Sequence, residues 1–327
     1  MNMNQIIQQL KKSRRVLLAT HIHPDGDAIG SLLALGLALE EGLKKKVQLY
    51  NESVLPAVYH FLPSIHRIKN EPGDIKAYDT AVILDCSDLQ RVGKAAEAIS
   101  RIPTVINVDH HATNTRFGNY QLIDPRASAT TEILHRLLRE MEMPITCAMA
   151  YAIYTGIMAD TGSFRFSNTT PEAFKICHEM VCQGADPHKV AHHVYETTSL
   201  KRIKLLNMLY DTIEVSENGR LSIMTLTQNM LHATGTSITD VNGLINYARR
   251  IENVKVAALL YERASSRQMQ RQRSSVFHVS LRSDGSVDVA NLAAVFGGGG
   301  HRSAAGFDVH SSLLDLKNEL YSMAGHL

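Results

Sequence analysis

Tryptophan is absent from the 327-residue sequence, and cysteine is scarce. The lack of tryptophan excludes no class of protein. The cysteines form no CxxC pair, which indicates reduced thiols rather than a disulfide framework: Cys86, Cys147, Cys177 and Cys182. The longest strongly apolar stretches, residues 29–39 and 148–159, are too short to span a membrane. The apolar run at residues 16–19 is too short for a signal-peptide core, so we expect a cytoplasmic protein with no membrane partner.

Neither sign of charge dominates the sequence. Lys and Arg number 34 against 32 Asp and Glu, a formal net charge of +2, which argues against coating nucleic acid by bulk charge. A local basic patch remains compatible with this balance. Hydrophobic residues make up 44% and charged residues 20%, which excludes disorder, collagen and coiled coil as the whole architecture. The length predicts about two domains. Sixteen histidines are an unusually high number, and several stand beside aspartates.

The first half of the chain alternates short apolar runs with helical patterns. The predicted strands are Arg15–Thr20, Lys46–Tyr50, Thr80–Leu84 and 104–108, and the predicted helices are 28–42, 128–141 and 145–160. Thr170 followed by Pro171 is typical of the start of a further helix. This alternation predicts an α/β fold with a parallel sheet.

The pattern changes in the second half of the chain. Residues 186–213 are helical and polar and contain no predicted strand, as expected of a connector. Asn218-Gly219 lies between apolar runs and predicts a hairpin. Further strands are predicted at 254–262 and 275–282, and further helices at 240–251 and 312–324. We therefore predict three parts: residues 1–185, a helical connector at 186–213, and a smaller mixed α/β domain at 214–327.

Aspartate and histidine gather where predicted strands and one helix end. They are His21, Asp25 and Asp27 after the first strand, Asp85 after the third, Asp109, His110 and His111 at the end of the fourth, and Asp160. Ligands of an open parallel sheet bind outside the carboxyl ends of its strands, so we expect these side chains to meet. Clustered carboxylates repel one another and need positive charge. Mixed oxygen and imidazole ligands favour Mn, Mg, Fe or Co over a thiolate zinc site.

Six or so ligands are too many for one tetrahedral ion, so the set predicts two metals that share a carboxylate. Metal pairs roughly 3.5–4 Å apart activate a water and clamp phosphoryl oxygens. The predicted chemistry is therefore hydrolysis of a phosphate ester or anhydride.

These motifs resemble those of the DHH phosphoesterase superfamily: His21-x3-Asp25-x-Asp27, Asp85, Asp109-His110-His111 and Asp160. The glycine run that ends at Gly300 before His301, followed by Ala304-Ala305-Gly306, resembles the glycine-rich motif of the DHH-associated C-terminal domain. The resemblance covers nearly the whole chain. It implies a catalytic DHH domain, a substrate-binding C-terminal domain and an active-site cleft between them. A homodimer is compatible with it.

The length resembles that of a compact branch of the superfamily. That branch degrades very short RNAs and removes the 3′-phosphate of 3′-phosphoadenosine 5′-phosphate. The resemblance therefore implies a phosphoric ester hydrolase whose partners are short RNA oligonucleotides and nucleotides, and whose cofactors are two Mn²⁺ ions, with Mg²⁺ or Co²⁺ as substitutes.

The resemblance also implies roles for individual residues. His21, Asp25 and Asp85 would hold one Mn²⁺ ion. The second ion would share Asp85 as a bridge, with the further ligands Asp27, His110 and Asp160. Asp109 would orient a histidine, and His111 would contact the scissile phosphate and protonate the leaving oxygen. A phosphate that is not cleaved would bind to the second domain at Arg282, Gly298, Gly299, Gly300, His301 and Arg302.

Several alternatives remain open at this point. A phosphodiesterase for pApA or cyclic di-AMP would share every motif. The alternative of another class is a nucleotide- or RNA-binding protein that has lost catalysis, against which the intact ligand set argues. A basic run, Arg263, Arg267, Arg271 and Arg273, fits either a solvated hairpin tip or a grip on an oligonucleotide backbone. A further histidine set fits a solvated helix better than a zinc site: His188, His192 and His193.

Overall fold

The computed structural model describes residues 3–241, 243–263 and 275–325, except for the side chains of Thr239 and His301. The chain forms two compact units that divide after Thr197. Each unit is built on one sheet of six strands among the described residues. No helix in these ranges has the length and apolar composition needed to cross a membrane.

The first unit has an all-parallel sheet with helices on both faces. Its strands are β1 (Arg15–Thr20), β2 (Lys46–Tyr50), β3 (Ile68–Lys69), β4 (Thr80–Leu84), β5 (Thr104–Asp109) and β6 (Tyr120–Ile123). Its helices are α1 (Met3–Lys12), α2 (Gly26–Glu41), α3 (Ala96–Ile99), α4 (Thr130–Glu140), α5 (Cys147–Asp160), α6 (Pro171–Cys182) and α7 (Pro187–Ala191). The predicted parallel α/β architecture is confirmed.

Burial on both faces explains why the strands of this sheet are continuous apolar runs. In β1, Val16 and Leu18 pack into a core with residues of α1, α2, α4, α5 and α6. The alternate residues, Leu17 and Ala19, pack into a second core on the opposite face, together with Ile99 of α3. Strands without a polar face leave no signal except length and β-branching. These signals predicted β1, β2, β4 and β5 but missed the short strands β3 and β6.

The strand order of the first sheet is β3-β2-β1-β4-β5-β6. The sequence order therefore reverses between β1 and β4, which are hydrogen-bonded neighbours from Val16↔Thr80 to Thr20↔Leu84. In open α/β sheets, ligands bind outside the carboxyl ends of the strands at such a reversal. His21 and Asp85 directly follow the carboxyl ends of β1 and β4, and Asp109, His110 and His111 lie at the carboxyl end of β5.

The second unit has a mixed sheet, which confirms the predicted second architecture. Its strands are β7 (Glu214–Val215), β8 (Leu221–Leu226), β9 (Val256–Glu262), β10 (Ser275–Ser283), β11 (Gly299–His301) and β12 (Ala304–Ser311), in the order β11-β12-β10-β9-β8-β7. Only the β8–β9 pairing is parallel among these described strands. Its helices are α8 (Leu200–Tyr210), α9 (Gln228–Thr234), α10 (Ile245–Arg249), α11 (Val289–Ala294) and α12 (Leu313–Ala324).

The prediction of one helix over residues 240–251 is wrong. A short 3-10 turn, Ile238–Val241, precedes the five-residue helix α10, Ile245–Arg249. Gly243, between them, has a φ of +81°, which a right-handed helix cannot contain. The hydrophobic pattern of a sequence indicates which positions are buried. Here a turn and a short helix bury the positions that one continuous helix would have buried.

Helices cover the two faces of the second sheet unequally. One core packs α11 and α12 against side chains of β8, β9, β10 and β12, including Val279 and Phe307. The other core packs α8, α9 and α10 against β8 and β9, including Met224 and Leu259. On this second face, the covering helices therefore lie over the β8–β9 half of the sheet.

Candidate functional site

His21 follows β1 and is buried. Its Nδ1 donates to the carbonyl of Ile22 at 2.8 Å, and the amide of Asn51 donates to the carbonyl of His21 at 2.7 Å. With the Nδ1 proton engaged, Nε2 is left as the ligand atom, and it lies 3.5 Å from Oδ2 of Asp85. Two neighbouring backbone contacts therefore fix both the tautomer and the position of this imidazole.

Asp25 and Asp27 lie at the N-terminus of α2. Asp25 is the capping residue, and its Oδ1 accepts the backbone N–H groups of Asp27 and Ala28, both at 3.0 Å. Asp27 lies in the first turn, where the helix dipole favours negative charge. The helix start thus holds two carboxylates beside the end of β1.

The buried carboxylate of Asp27 also reaches the start of another helix. Its Oδ2 accepts the N–H of Thr130 at 2.6 Å, and its Oδ1 accepts the N–H and the hydroxyl of Thr131 at 2.9 and 2.6 Å. The capping residue of α4, Ala129, has no side-chain oxygen, so Asp27 performs this role. The contact needs a glycine at 156 on α5, because a Cβ there would lie 2.8 Å from Oδ1 of Asp27.

Asp85 lies at the centre of the cluster. It follows β4 with a φ of +53°, a left-handed backbone that is uncommon for residues other than glycine and is typical of functional sites. The hydroxyl of Thr130 donates to its Oδ1 at 3.1 Å. Oδ1 lies 3.7 Å from Nε2 of His110, and Oδ2 lies 3.5 Å from Nε2 of His21. The two oxygens of one buried carboxylate therefore face two different imidazoles.

Asp109 is fully buried at the end of β5 and orients His111. Nδ1 of His111 donates to Oδ1 of Asp109 at 2.6 Å. The amide of Asn114 donates to Oδ2 at 2.6 Å and also to Oδ1 of Asn107 at 2.8 Å. Both oxygens of Asp109 are thus engaged by side chains that hold it in place.

His110 and Asp160 meet on the other side of Asp85. Nε2 of His110 lies 3.4 Å from Oδ2 of Asp160, and its Nδ1 lies 3.3 Å from the carbonyl of Ala127. Asp160 is the last residue of α5, and its carbonyl accepts the amide of Asn168 at 3.2 Å. The end of this helix thereby adds the fourth carboxylate to the site.

These residues form three overlapping groups in which one donor atom of each member lies within 4.8 Å of the others. The groups are His21 with Asp25 and Asp85, Asp27 with His110 and Asp160, and Asp85 with His110 and His111. All the aspartates and histidines predicted in the first unit are thus brought together, with Asp109 in contact through His111. Asp85 is common to two of the groups.

Burial and the neighbouring charges shift the pKa values of the carboxylates and imidazoles in this cluster. Burial, and next the charge of Asp85, raise the pKa of Asp27 to about 7, and burial raises that of Asp160 well above its usual range. For Asp85 burial acts upward, but the hydrogen bond with His21 and the nearby imidazoles bring its pKa below the usual range. Burial lowers the pKa of His21 and His110, yet the surrounding carboxylates raise both to about 9.

Divalent cations fit this donor set. Without them, buried carboxylates retain protons and the imidazoles must carry charge, as the raised pKa values of Asp27 and His110 show. Carboxylate oxygens and imidazole nitrogens, with no thiolate in the described groups, suit Mn or Mg better than a structural zinc site. The residues of these groups that were predicted to hold the cations are His21, Asp25, Asp27, Asp85, His110 and Asp160.

The predicted phosphate-binding residues lie on the second unit. Arg282 is half-buried on β10, and its pKa is lowered by burial and next by the charge of Arg249 on α10. Two cationic side chains near each other leave a place that suits an anion. In the strand register, His301 pairs with Ala304, and Ala304 pairs with Arg282. The backbone of His301 is therefore in the same row, while its side chain lies outside the described residues.

At two positions of the glycine run, the backbone geometry explains why the residue is glycine. A Cβ on Gly298 would lie 2.3 Å from the carbonyl oxygen of Gly306, and Gly300 has a φ of +150°. At Gly299 a Cβ would meet nothing within 4 Å, so this position is open. Arg302 follows the run and is exposed.

Two other segments were singled out in the sequence, the basic run and the connector histidines. Of the basic run, Arg263 is described and pairs with Asp308 at 3.1 Å, while Arg267, Arg271 and Arg273 lie outside the described residues. His193 stacks on Phe61 with ring centroids 4.6 Å apart, and the candidate metal groups within the described ranges contain none of the three connector histidines.

Sequence reasoning missed the side chains that position the ligands, chiefly Thr130, Thr131, Asn114 and Asn51. In the sequence, these threonines and asparagines cannot be distinguished from ordinary helix-start or loop residues. The partners of the threonines and of Asn51 are distant in sequence, 103 and 104 residues for the Asp27 contacts and 30 residues for the contact of Asn51 with His21. Only the fold reveals them.

The chain is similar to known proteins over most of its length. Residues 15–157 match the N-terminal domain of the DHH family, and residues 226–324 match the DHHA1 domain. The bifunctional oligoribonuclease and PAP phosphatase NrnA of Thermus thermophilus is 32% identical over 92% of this chain and 86% of that protein. The protein of the same name from Bacillus subtilis is 25% identical over 94% of this chain and 93% of that protein.

A solved structure shares the fold over most of the chain. It is a crystal structure of an exopolyphosphatase-related protein from Bacteroides fragilis, with a TM-score of 0.88 and 26% identity, covering 96% of this chain and 92% of that one. The resemblance seen in the motifs is therefore confirmed, and the chain belongs to the DHH family, with a DHH domain followed by a DHHA1 domain.

Proposed function

We propose that this phosphoric ester hydrolase of the DHH family uses two divalent cations, Mn²⁺ first among Mn²⁺, Mg²⁺ and Co²⁺, to degrade short oligoribonucleotides to mononucleotides. The same site converts 3′-phosphoadenosine 5′-phosphate to AMP. Two relatives that match over most of this chain carry the name bifunctional oligoribonuclease and PAP phosphatase, which supports this pair of substrates.

The observation that carries the proposal is the position of Asp85. Its Oδ2 faces His21 in a group with Asp25, and its Oδ1 faces His110, which is grouped with Asp27 and Asp160. One carboxylate that offers a separate oxygen to each of two ligand groups is the arrangement expected of a bridge between two cations.

The cations, when bound, supply a nucleophilic water at neutral pH and positive charge beside the phosphoryl oxygens. The protein's part is to hold the ligands in place. Thr130 and Thr131 hold the carboxylates of Asp85 and Asp27, and the carbonyl of Ile22 fixes the tautomer of His21. Such partners orient metal ligands and set their basicity.

His111 protonates the leaving oxygen in this proposal. Asp109 accepts its Nδ1–H at 2.6 Å and orients the ring, so a proton on Nε2 is the one to be donated. The support of Asn114 keeps Asp109 in this orientation. A leaving ribose hydroxyl needs such a proton, because its alkoxide is strongly basic.

Arg282, the glycine run at 298–300, His301 and Arg302 bind a phosphate that is not cleaved. The half-buried guanidinium of Arg282 beside Arg249, and glycines that let backbone N–H groups approach an anion, support this role. Substrates with a second phosphate, such as 3′-phosphoadenosine 5′-phosphate, are therefore preferred.

The test is hydrolysis by chelator-treated full-length protein before and after Mn²⁺ is restored. The substrates are 3′-phosphoadenosine 5′-phosphate and a labelled RNA trinucleotide, with pApA and cyclic di-AMP measured in parallel. Manganese-dependent release of AMP and of mononucleotides is expected. Turnover of cyclic di-AMP or pApA alone would replace the substrate assignment, and tight nucleotide binding without product in saturating Mn²⁺ would show a binding protein.

A further inference from the structure

The second unit contains a cavity of about 190 Å³ on the face of its sheet that α12 covers. The described residues that line it include Thr225, Glu262, Ser275, Phe277, Ser311 and Leu313. We propose that this cavity binds a small organic ammonium ion, with the ammonium group at Glu262 and the apolar stem against Phe277 and Leu313. The site does not depend on the proposed function.

The cavity lies where the core beneath α12 ends. Phe277 of β10 belongs to that core, and its register partner on β9 is Glu262. Directly opposed residues project to the same face of a sheet, so the carboxylate lies on this face too. On β8, Ile223 belongs to the same core, and Thr225, two residues later, projects to the same side. Polar side chains thus follow the apolar ones at this end of the sheet.

Thr225 contributes a hydroxyl that the described residues do not use. Its side chain is 5% exposed, and its Oγ1 has no hydrogen-bond partner within the described ranges. A buried hydroxyl without a partner costs free energy, and a ligand that supplies the partner removes that cost. Because Thr225 also lines the cavity, this unmet hydrogen bond indicates a polar ligand there.

Glu262 gives the cavity a negative charge. Its Oε1 accepts the hydroxyl of Ser275 at 3.2 Å, and its Oε2 accepts the backbone N–H of Gln228 at 3.4 Å. Both of these partners are neutral. The adjacent cation, Arg263, pairs with Asp308, which projects from the opposite face of the sheet. A half-buried carboxylate held by neutral partners favours a cationic ligand.

The other walls favour an organic cation over a metal ion. The ring of Phe277 and the side chain of Leu313, the first residue of α12, are apolar. A cavity of about 150 Å³ accommodates benzene. The larger volume here, about 190 Å³, leaves room for a ring-sized stem that carries one ammonium group. An ammonium group has three donors, and the carboxylate of Glu262 and the hydroxyl of Thr225 are acceptors for them.

The predicted phosphate-binding residue Arg282 lies at the other end of β10. It is five residues from Phe277, about 17 Å along the strand, and it projects from the opposite face. A ligand in the cavity therefore leaves Arg282 free. Binding to the cavity can be measured without nucleotide or metal, so failure of this proposal and failure of the proposed function are distinguishable.

The experiment measures Kd for the full-length protein by ligand-observed NMR titration with benzylammonium, benzyl alcohol and benzoate, three probes of similar size. Benzylammonium should bind about tenfold more tightly than benzyl alcohol, and benzoate most weakly, because only the cation complements the carboxylate. Glu262→Gln should weaken benzylammonium binding about tenfold and leave benzyl alcohol binding unchanged. Glu217→Gln is the matched control, an exposed glutamate between β7 and β8.

Thr225→Val is a second variant, which removes the unpartnered hydroxyl and keeps the shape of the side chain. Its melting temperature should not fall, because no hydrogen bond is lost, and it should bind benzylammonium about threefold more weakly. Equal affinity of the wild-type protein for benzylammonium and benzyl alcohol would overturn the proposal. So would absence of benzylammonium binding, or an equal loss in Glu262→Gln and Glu217→Gln.

Discussion

The carboxylate of Asp27 caps a helix that begins 103 residues later in the chain, accepting the backbone N–H of Thr130 at 2.6 Å. The start of α2 and the start of α4 are thereby locked together at the carboxyl edge of the parallel sheet. Because Asp27 also faces His110 and Asp160, the same contact that orders the helix start positions a candidate metal ligand.

Replacing Thr131 by valine should weaken metal binding. Thr131→Val removes the hydroxyl that donates to Asp27 at 2.6 Å and keeps the shape of the side chain. We expect about tenfold lower Mn²⁺ affinity with little change in fold, measured by calorimetry. Thr155→Val is the matched control, because the buried hydroxyl of Thr155 has no hydrogen-bond partner within the described ranges. Equal losses in the two variants would refute this role for Thr131.

The metal-free protein should lose stability as the pH rises from about 4 to 9. The pKa of Asp27 is raised from 3.8 to about 7, so between these values the folded state keeps a proton that the unfolded state has released. The pKa values of His21 and His110 rise from 6.5 to about 9, and the stability that these protons contribute is lost as the pH passes through that range.

Thermal unfolding at a series of pH values tests this dependence. Mn²⁺ requires deprotonated ligands, so its affinity should increase with pH and the bound protein should lose much less stability. In Asp27→Asn the fall between pH 4 and 7 should shrink. A metal-free protein whose melting temperature rises over the whole interval would contradict the assignment of these protons.

Asp109→Asn should slow hydrolysis about 10- to 100-fold, because His111 loses the carboxylate that orients its ring. The loss should be large for an RNA dinucleotide and small for bis(p-nitrophenyl) phosphate, whose leaving group needs no proton. Asp79→Asn is the control, an acid whose Oδ2 accepts the backbone N–H groups of Arg14 and Arg15 at the start of β1. An equal loss with both substrates would assign Asp109 to structure rather than to proton transfer.

Arg282→Gln should raise KM for 3′-phosphoadenosine 5′-phosphate by about tenfold or more, since a charge-assisted contact to the uncleaved phosphate is lost. Bis(p-nitrophenyl) phosphate has no second phosphate, and its kcat/KM should be unchanged. Arg250→Gln, which removes an exposed cation that lies over Tyr247, serves as the control. Equal effects on both substrates would argue against a phosphate contact at Arg282.

The sequence was most informative where burial leaves a simple pattern. β1, β2 and β4 lie at the predicted bounds because each is a short apolar run in a sheet covered on both faces. It was least informative in the second unit. β11 and β12 contain Gly299, Gly300 and Gly306, which read as turn residues, yet in the sheet they provide close approach and an open face. Glycine alone does not distinguish these uses.

For the site, the residue types and their positions after strands were enough to predict the ligands that meet around Asp85. The partners that hold those ligands could not be predicted, because a hydrogen bond such as that from Thr131 to Asp27 depends on how two helices pack.

The most direct test of the account is the rate of AMP release from 3′-phosphoadenosine 5′-phosphate by Asp85→Asn in saturating Mn²⁺. The matched variant is Asp88→Asn. Asp88 lies three residues after Asp85 and its side chain caps a short 3-10 turn, a role that asparagine performs equally well. We predict that Asp85→Asn loses more than about a hundredfold in rate while remaining folded, and that Asp88→Asn stays close to the wild type. A folded Asp85→Asn protein with a near-normal rate would contradict the bridging role and the two-cation site built on it.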